Sequence, residues 1–292
     1  MTRDDVHPPP LAVHRAVATA LAEDILPIGD LTASLLPRTV RSSAHFIARA
    51  SGVVAGMDCV IEVCAQIDPT LVVEVVVDDG GEIESGGLIA RLSGPTASML
   101  TAERTALNFL CHLSGIASAT NRYVKVARAA NPSVRIWDTR KTTPGLRSLE
   151  KAAVRAAGGW NHRASLSEGV LIKDNHLGDL SIVEAVHLAL ARWPGRMVEV
   201  ECDRVDQVGE ALDAGASVVL LDNMTPSQVE GCVGFIRSHP RGSAGAVLVE
   251  ASGGISLHNL AEYARTGVDL ISIGAMTHSA PVLDIGLDLE DQ

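Results

Sequence analysis

The sequence predicts an α/β protein in two parts, the second of which is a parallel sheet curled into a TIM-type barrel, complete or incomplete. Three observations support this fold class. From residue 134 onward, short apolar runs alternate with helical stretches, as they do in parallel βα units. The units follow one another closely, which favours a barrel over an open sheet. Before residue 134 the pattern differs, because strand-like runs with glycine turns are mixed with helices.

The composition is that of a globular protein with a large core. The chain has 292 residues, of which 47% are hydrophobic, enough for one large barrel or two domains. No apolar run approaches the ~18 residues that span a bilayer, and the first residues lack the basic and then apolar pattern of a signal peptide. The five cysteines form no CxxC pair, which indicates reduced thiols rather than a disulfide framework. We therefore expect a cytoplasmic protein with no membrane partner.

The charge distribution predicts a small anionic ligand. The formal net charge is -11, yet residues 135–173 contain eight Lys or Arg and three acids. A basic island on an acidic body suits a small polyanion, whereas nucleic acid favours a broader basic face. Only 3% of the residues are aromatic, too few for the stacking platforms that bind single-stranded nucleic acid. Nucleic acid is therefore not an expected partner.

The first part of the chain is predicted to mix helices with short strands. Apolar residues at helical spacing predict helices over 11–26 and 57–66, and β-rich runs predict strands over 44–48 and 71–77. Strands with glycine turns resemble the small domains that carry biotin or lipoyl groups. No lysine precedes Lys125, so a lysine-borne prosthetic group is excluded there.

A long helix over 101–130 is predicted to join the two parts. Thr101 is placed to cap its first turn. Arg104, Asn108 and His112 stand four residues apart and share a polar face. That face is either solvated or turned towards an active site, and the spacing alone leaves both interpretations open.

The second part is predicted to contain six strands with helices between most of them. The strand-like runs cover 134–137, 170–172, 198–200, 218–221, 247–249 and 270–273. The helical stretches cover 182–192, 205–214, 226–237 and 257–266. Polar, charged or glycine-rich residues follow every one of these strands, and in a barrel of this type the active site lies at that end of the sheet.

Most of the basic residues of the island, together with His162, fall into two groups. Those that flank predicted strand ends are candidates for ligand binding, because loops on a rigid scaffold carry function. They are Arg140, Lys141, His162, Arg163 and Lys173. A second group stands four residues apart on one helical stripe and is interpreted as ordinary surface charge. They are Arg147, Lys151 and Arg155.

The last two strand ends predict a phosphate cradle. The turn 252–254 is Ser-Gly-Gly, which lets backbone N–H groups approach an anion, and Gly274 leaves room beside it. Glu201 and Asp222 end adjacent strands and could bind ribose hydroxyls or Mg²⁺, directly or through water. Alternatively, these two carboxylates neutralise nearby lysines. No His/Cys cluster has the spacing of a structural metal site.

These residues resemble the quinolinate phosphoribosyltransferase family over nearly the whole chain. The resemblance rests on the segments TAERTALNFLCHLSGIA, DTRKTTPGLR, GGWNHR, LIKDNH, VEVEC, LLDN, EASGGI and SIGAMTHSA. It implies an N-terminal α/β sandwich domain over 1–115, joined by the C-terminal segment 280–292, and an incomplete α/β barrel over 116–279. Ala152 and Ala157 depart from the family pattern, which leaves the charged residues intact.

The resemblance implies a reaction of NAD biosynthesis. A phosphoribosyl group passes from phosphoribosyl pyrophosphate to quinolinate with decarboxylation, giving nicotinate mononucleotide, pyrophosphate and CO₂. Mg²⁺ is the implied cofactor. A homodimer with shared active sites, or a higher oligomer built from it, is the implied assembly.

The resemblance also implies roles for individual residues. Those implied for quinolinate are Arg104 from the partner subunit, Thr139, Arg140, His162, Arg163 and Lys173. Those implied for phosphoribosyl pyrophosphate are Lys141, Asn175, Glu201, Asp222, Ser252, Gly253, Gly254, Gly274 and His278. The implied catalytic residues are Lys141, Lys173, Glu201 and Asp222, of which the two acids would also hold Mg²⁺.

Three other functions are weaker interpretations of the same residues. A related phosphoribosyltransferase-like protein associated with molybdenum transport shares much of this fold, but the intact cations of DTRKTTPGLR and NHR disfavour it. A Schiff-base aldolase would use Lys173, and nothing else supports that chemistry. A non-enzymatic dicarboxylate or nucleotide sensor would need an output segment, and the sequence shows none.

Overall fold

A computed structural model of the chain describes residues 6–37 and 39–290. The chain divides into two compact units. Unit 1 comprises Met1–Asn121, Thr142–Gly158 and Met276–Gln292, and unit 2 comprises Arg122–Lys141 and Gly159–Ala275. The predicted domain division at 115/116 did not foresee that Thr142–Gly158 groups with the first unit. Helices and strands are numbered separately along the chain.

Unit 1 contains an antiparallel sheet and its flanking helices. Its strands are β1 (Arg41–Ala48), β2 (Gly52–Val53), β3 (Val72–Val75), β4 (Glu82–Ile83), β5 (Leu88–Pro95) and β12 (Ile285–Leu289). The main sheet has the order β12-β1-β5-β3, and β2 pairs with β4. Its helices are α1 (Pro10–Ile25), α2 (Met57–Ile67), α3 (Thr96–Ala130) as far as Asn121, and α4 (Arg147–Ala156). Alternate residues of β1 are buried, which is the pattern of a strand with one face on a core.

The C-terminal segment belongs to this sheet. β12 runs antiparallel to β1, with Ala44 opposite Leu289 and Ala48 opposite Ile285. The chain reaches β12 by passing very close to α3, where a Cβ on Gly115 would lie 2.2 Å from the Pro281 carbonyl oxygen. Only glycine permits that approach.

Helix α3 begins five residues earlier than the sequence predicted. Thr101 therefore lies inside the helix, and its predicted capping role is wrong. Its hydroxyl donates to the Ala97 carbonyl at 3.0 Å and contacts Asp30 Oδ2 at 3.0 Å. The strand β5 runs directly into the helix at Thr96, so no separate cap is visible in the sequence at the true start.

Helix α4 corrects the interpretation of the basic stripe as solvated surface. Lys151 is 3% exposed, because α4 buries every residue from Leu149 to Val154. Arg147 Nε donates to Thr142 Oγ1 at 3.0 Å, and Arg155 Nη2 donates to the His7 carbonyl at 3.0 Å. The three basic residues of the stripe are therefore packed or hydrogen-bonded within unit 1. The i, i+4 spacing did not reveal these contacts.

Unit 2 is the predicted parallel α/β barrel, and it is open. Its strands are β6 (Arg135–Trp137), β7 (Val170–Ile172), β8 (Val198–Cys202), β9 (Val218–Asp222), β10 (Leu248–Ser252) and β11 (Leu270–Ser272). The order is β6-β11-β10-β9-β8-β7, with every pairing parallel. A parallel bridge between Trp137 and Trp160 continues the sheet beyond β6. All six predicted strands are confirmed, with differences of at most three residues at their ends.

The helices of unit 2 cover the outside of this sheet in the expected alternation. They are α5 (Asp174–Leu177), α6 (Ile182–Arg192), α7 (Val205–Ala214), α8 (Pro226–Ser238), α9 (Pro240–Ser243), α10 (Leu260–Arg265) and the start of α11 (Ala275–His278). Ser181 caps α6 and Thr225 caps α8, each by accepting a hydrogen bond from the third residue of its helix. Within 6–37 and 39–290, none of the helices combines the length and hydropathy needed to cross a bilayer.

Candidate active site

A cavity of about 590 Å³ opens at the carboxyl ends of the unit 2 strands. It collects most of the residues that the sequence singled out, because parallel strands bring their carboxyl ends to one rim. The predicted residues that line it are Thr139, Arg140, Lys141, His162, Arg163, Lys173, Glu201, Asp222, Ser252, Gly253 and Gly254. Residues without a predicted role that also line it are Leu171, Leu220, Asn223, Glu250 and Ser272.

Four predicted site residues lie outside this lining. Asn175 is exposed in α5, and Gly274 lies between β11 and α11. Arg104 and His278 belong to unit 1, where Arg104 is exposed on α3 and His278 Nδ1 lies 2.6 Å from Ser279 Oγ. The roles of these four residues stay predictions.

The cations of the cavity repel one another. Burial and the charge of Arg140 lower the pKa of Arg163, and the Glu199 carboxylate partly offsets that effect. Arg163 Nη1 donates to the Gly169 carbonyl at 2.8 Å, which fixes the guanidinium in place. Fixed cations at close quarters form a strong site for an anion, because a bound anion relieves their repulsion.

A buried carboxylate at the end of β6 positions the turn that carries His162. Asp138 Oδ1 accepts from the His162 backbone N–H at 2.9 Å, and Asp138 Oδ2 accepts from Asn161 Nδ2 at 2.6 Å. The Asp138 backbone N–H also donates to the Trp160 carbonyl at 3.0 Å. The segments DTRK and WNHR thus lie side by side at the barrel edge. The sequence analysis assigns no role to Asp138, although its position directly after a strand is a signal of one.

Two more buried carboxyls that the sequence prediction missed lie close to His162, and one of them, Glu250, lines the cavity. His162 Nε2 lies 2.9 Å from Glu199 Oε2 and 4.0 Å from Glu250 Oε2. Burial raises the pKa of Glu199 to about 7, against the lowering effects of a hydrogen bond with Glu250 and of the Arg163 charge. Burial and the neighbouring Glu199 raise the pKa of Glu250 to about 8. The sequence did show that each glutamate lies inside an apolar strand. Glu199 is the first glutamate of VEVEC, and Glu250 is the glutamate of LVEAS.

Glu201 and Asp222 lie on neighbouring strands β8 and β9 and have different partners. Glu201 forms an ion pair with Lys173 Nζ, so the alternative interpretation, that this carboxylate neutralises a lysine, describes Glu201 in this structure. Asp222 Oδ2 accepts from Asn223 Nδ2 at 2.5 Å. Two carboxylates at one rim also fit Mg²⁺, which typically takes one or two protein carboxylates and completes its shell with water and phosphate oxygens.

The glycine turn after β10 is tied to the turn after β9. Gly253 has φ +89°, and a Cβ there would lie 2.3 Å from Asn223 Oδ1. Asn223 itself has φ 56°, and its backbone N–H donates to the Ser252 carbonyl at 3.0 Å. Both turns therefore need residues that tolerate the left-handed region. This arrangement leaves backbone accessible at the rim, as a phosphate cradle requires.

The spacing left open whether the polar face of α3 is solvated or turned towards an active site, and the structure shows the surroundings of its three residues. His112 Nε2 lies 2.9 Å from Glu150 Oε1, and Glu150 is fully buried in α4. Asn108 and His112 line a cavity of about 700 Å³ within unit 1, whose charged lining residues include Arg15, Glu23 and Asp24. This cavity lacks the concentration of cations found in unit 2. Arg104 is not among its lining residues.

Comparisons with known proteins agree with the resemblance seen in the sequence. The family profile described as quinolinate phosphoribosyl transferase, C-terminal domain, matches residues 116–288, and the profile for the N-terminal domain matches residues 30–114. A nicotinate-nucleotide pyrophosphorylase (carboxylating) of Mycobacterium leprae is 40% identical over 282 residues, covering 95% of this chain and 97% of that protein. A quinolinate phosphoribosyltransferase (decarboxylating) of Nicotiana tabacum is 36% identical over 287 residues, covering 94% and 81%. The structure of the nicotinate-nucleotide pyrophosphorylase from Francisella tularensis superposes with a TM-score of 0.90 at 37% identity, covering 98% of this chain and 99% of that chain.

Proposed function

The chain belongs to the quinolinate phosphoribosyltransferase family, and we propose that the cavity of unit 2 is where it carries out the family's reaction. The enzyme transfers the phosphoribosyl group of phosphoribosyl pyrophosphate to quinolinate with loss of CO₂, which yields nicotinate mononucleotide for NAD biosynthesis. The observation that carries the location is the convergence of Arg140, Lys141, Arg163 and Lys173 on one cavity.

Quinolinate would bind at the side of the cavity formed by the ends of β6 and β7. Arg140, Arg163 and Lys173 supply positive charge there, and Thr139 and His162 lie beside them. Two carboxylates on adjacent ring carbons match such a cluster, because each can take a charge-assisted hydrogen bond. Nicotinate has one carboxylate and would leave part of the cluster unpaired, so the same cations provide specificity.

Phosphoribosyl pyrophosphate would bind across the ends of β8, β9 and β10. The turn 252–254 suits a phosphate group, and Glu201 and Asp222 suit the ribose hydroxyls. Lys141 would lie near the pyrophosphate. Roles for the residues outside the cavity lining belong to the same proposal, with Asn175, Gly274 and His278 at the phosphate end.

The chemistry follows from the charges in this cavity. As pyrophosphate leaves C1 of the ribose, the sugar develops oxocarbenium character, and Lys141 and Lys173 stabilise the departing anion. The pyridine nitrogen then bonds to C1 and becomes a pyridinium. Its positive charge holds the electron pair left on the adjacent ring carbon when the carboxylate there departs as CO₂, and that carbon then takes a proton. No separate electron-sink cofactor is needed.

Mg²⁺ is the proposed cofactor. Glu201 and Asp222 would hold it, directly or through water, and when bound it neutralises charge on the pyrophosphate. Lys173 already pairs with Glu201, so a bound cation would share this carboxylate with the lysine. The charge of Asp222 is not neutralised by its partner, since Asn223 is an uncharged amide.

The proposed assembly is a homodimer in which each active site takes Arg104 from the partner subunit. Arg104 is exposed on α3, on a unit that supplies none of the residues lining the unit 2 cavity within the described part of the chain. A cytoplasmic location is also proposed, because the five cysteines are free thiols.

A product assay tests the function. The protein is incubated with quinolinate, phosphoribosyl pyrophosphate and Mg²⁺, and the mixture is analysed for nicotinate mononucleotide, pyrophosphate and CO₂. Nicotinate replaces quinolinate in a control, and Lys173→Ala serves as the inactive variant. Equal product from nicotinate, or CO₂ release without pyrophosphate, would contradict the assignment.

A further inference from the structure

The two arginines of the unit 2 cavity lie on separate segments of the chain. Arg140 belongs to the segment that follows β6, and Arg163 belongs to the turn that follows Trp160. Between these segments the chain leaves unit 2, since Thr142–Gly158 groups with unit 1. Burial and the neighbouring charge of Arg140 lower the pKa of Arg163, so the two guanidinium charges oppose each other. The two segments must therefore be held together against this repulsion.

Asp138 connects the two segments. Its Oδ1 accepts the His162 backbone N–H at 2.9 Å, and its Oδ2 accepts from Asn161 Nδ2 at 2.6 Å. Its own backbone N–H donates to the Trp160 carbonyl at 3.0 Å. Asp138 is fully buried, so bulk water does not compete for these hydrogen bonds, and hydrogen bonds to a carboxylate are stronger than those between neutral groups.

Each arginine is also fixed within its own segment. On the β6 side, the Thr139 side-chain oxygen accepts the Lys141 backbone N–H at 3.0 Å, which folds the chain into a tight turn around Arg140. On the other side, Arg163 Nη1 donates to the Gly169 carbonyl at 2.8 Å. These contacts orient the two arginines, and neither contact joins one segment to the other.

We propose that Asp138 is a positioning residue that sets the spacing between Arg140 and Arg163, and thereby the preference of the cavity for two adjacent carboxylates. One carboxylate can pair with either arginine whatever their spacing, whereas two carboxylates on adjacent ring carbons need both arginines at one separation. Asp138 is not among the described residues that line the cavity, so it acts through the segments that it joins. The inference rests on the proposed binding of quinolinate in this cavity.

Exchange of the hydrogen-bonding groups tests this role. In Asp138→Asn the amide oxygen can keep the His162 contact, but the contact with Asn161 is lost or becomes a weaker neutral hydrogen bond. In Asn161→Asp two carboxylates would face each other at the same place. The double variant Asp138→Asn/Asn161→Asp again sets a donor opposite a carboxylate and leaves the total charge unchanged. Both single variants should lose quinolinate affinity, and the double variant should recover part of the loss.

Calorimetric titration of the full-length protein with each ligand alone measures binding without turnover. We expect Asp138→Asn to raise the quinolinate Kd by on the order of 10-fold, the scale of one hydrogen bond to a charged group. The nicotinate Kd should rise less, because a single carboxylate does not depend on the spacing of the two arginines. The Kd for phosphoribosyl pyrophosphate should change little, since its proposed site lies at the ends of β8, β9 and β10.

Asp269→Asn is the matched control. Asp269 directly precedes β11 in unit 2 and is not among the described residues that line the cavity. Like Asp138, it accepts from a backbone N–H, that of Val249 at 2.8 Å, and from a side chain, Arg237 Nη2 at 2.8 Å. This variant should have a lower Tm and unchanged affinities for quinolinate and nicotinate. Loss of stability alone is thereby distinguished from loss of positioning.

The outcomes separate this inference from the proposed function. If wild type forms no nicotinate mononucleotide, the function fails. If wild type is active and Asp138→Asn loses no quinolinate affinity, or loses quinolinate and nicotinate affinity equally, the inference alone is overturned. A double variant that binds quinolinate no better than either single variant also overturns it.

A second variant keeps the test decisive where Asp138→Asn does not fold. Asn161→Ala removes one side-chain contact of Asp138 and leaves the contact with the His162 backbone N–H. A smaller loss that is again selective for quinolinate over nicotinate supports the proposal. An unchanged ratio of the two affinities overturns it.

Discussion

Two histidine–glutamate pairs in this protein have the same contact distance but different surroundings. In unit 1, His112 Nε2 lies 2.9 Å from Glu150 Oε1, and in unit 2, His162 Nε2 lies 2.9 Å from Glu199 Oε2. Both glutamates are fully buried. The difference lies in the other oxygens. Both oxygens of Glu150 lie 3.3 Å from the Thr143 backbone nitrogen, whereas Glu199 has a second buried carboxyl, that of Glu250, as its neighbour.

The comparison shows how one contact can serve two purposes. Glu150 is a brace, because its oxygens tie α3 and the start of the 143–146 turn to α4. Glu199 instead lies beside a second buried carboxyl, Glu250, and the two together place two ionisable acids close to His162. A carboxylate held by donors from two helices and a turn contributes to stability, while a pair of buried carboxyls beside a cavity affects what the cavity binds.

The largest expected effect comes from the cations of unit 2. Arg163→Ala should weaken quinolinate binding by on the order of 2–5 kcal/mol, because a desolvated carboxylate loses its partner. Phosphoribosyl pyrophosphate should be affected less. Calorimetry with each ligand measures both. Arg155→Ala removes an arginine that is built into unit 1, and it should leave quinolinate affinity unchanged. Equal losses for the two ligands in Arg163→Ala would remove the distinction between the ligand subsites.

Removing the rim acids should lower turnover rather than quinolinate affinity. Asp222→Ala is expected to reduce kcat on the order of 10²-fold, as when one group that stabilises transition-state charge is deleted. It should also raise the Mg²⁺ concentration needed for half-maximal rate, and Glu201→Ala should act in the same direction. Steady-state kinetics across a Mg²⁺ series provides the measurement. If quinolinate binding is lost and the Mg²⁺ response is unchanged, these acids belong to the quinolinate side of the cavity and the assignment is contradicted.

Glu150→Gln tests whether the unit 1 pair is a brace. The amide can accept from His112 or Thr143 but not serve all three contacts, so the free energy of unfolding should fall by about 1–3 kcal/mol. Denaturant titration at two pH values gives this quantity. The loss should be similar at both. A change in quinolinate KM without a change in stability would show that the brace acts on the ligand site instead.

Glu250→Gln should change how stability depends on pH. In wild type the folded state holds a proton on Glu250 up to about pH 8, whereas an unfolded glutamate releases it near 4.5. The folded state binds more protons between these values, so the stability from this group is full below the lower value and is lost as pH rises towards the upper one. The variant should show a flatter fall in Tm from acidic to mildly alkaline pH. An unchanged slope would mean that Glu250 is ionised in the folded protein.

The smallest expected signal concerns the contribution of unit 1 to catalysis. Arg104→Ala and Lys173→Ala subunits, each inactive alone, are mixed and allowed to exchange. Half of the dimers would be mixed and would contain one intact site of two, so roughly a quarter of wild-type activity should return. Mass spectrometry of tagged subunits verifies the exchange. Exchange without activity would show that Arg104 does not act in the partner's site.

The sequence predicted the site residues that follow strands more successfully than those inside them. Lys173, Glu201 and Asp222 follow predicted strands, and they line one cavity because a parallel sheet brings the ends of its strands to one rim. Glu199 and Glu250 were missed, because a glutamate within an apolar strand gives no sign of what it faces. Lys151 was assigned to the surface for the same reason, since i, i+4 spacing describes one helix and not its neighbours.

By itself the sequence determined the succession of strands and helices in unit 2, the polar strand ends and the family, because these are recorded in local periodicity and in contiguous segments. Only the tertiary structure decided which buried groups meet. His162 and Glu199 are 37 residues apart, Asp138 and the His162 backbone 24, and His112 and Glu150 38. The physical reason is that burial and charge pairing depend on what the folded chain brings into contact, and a carboxyl acquires its proton or its hydrogen bonds only once water has been excluded.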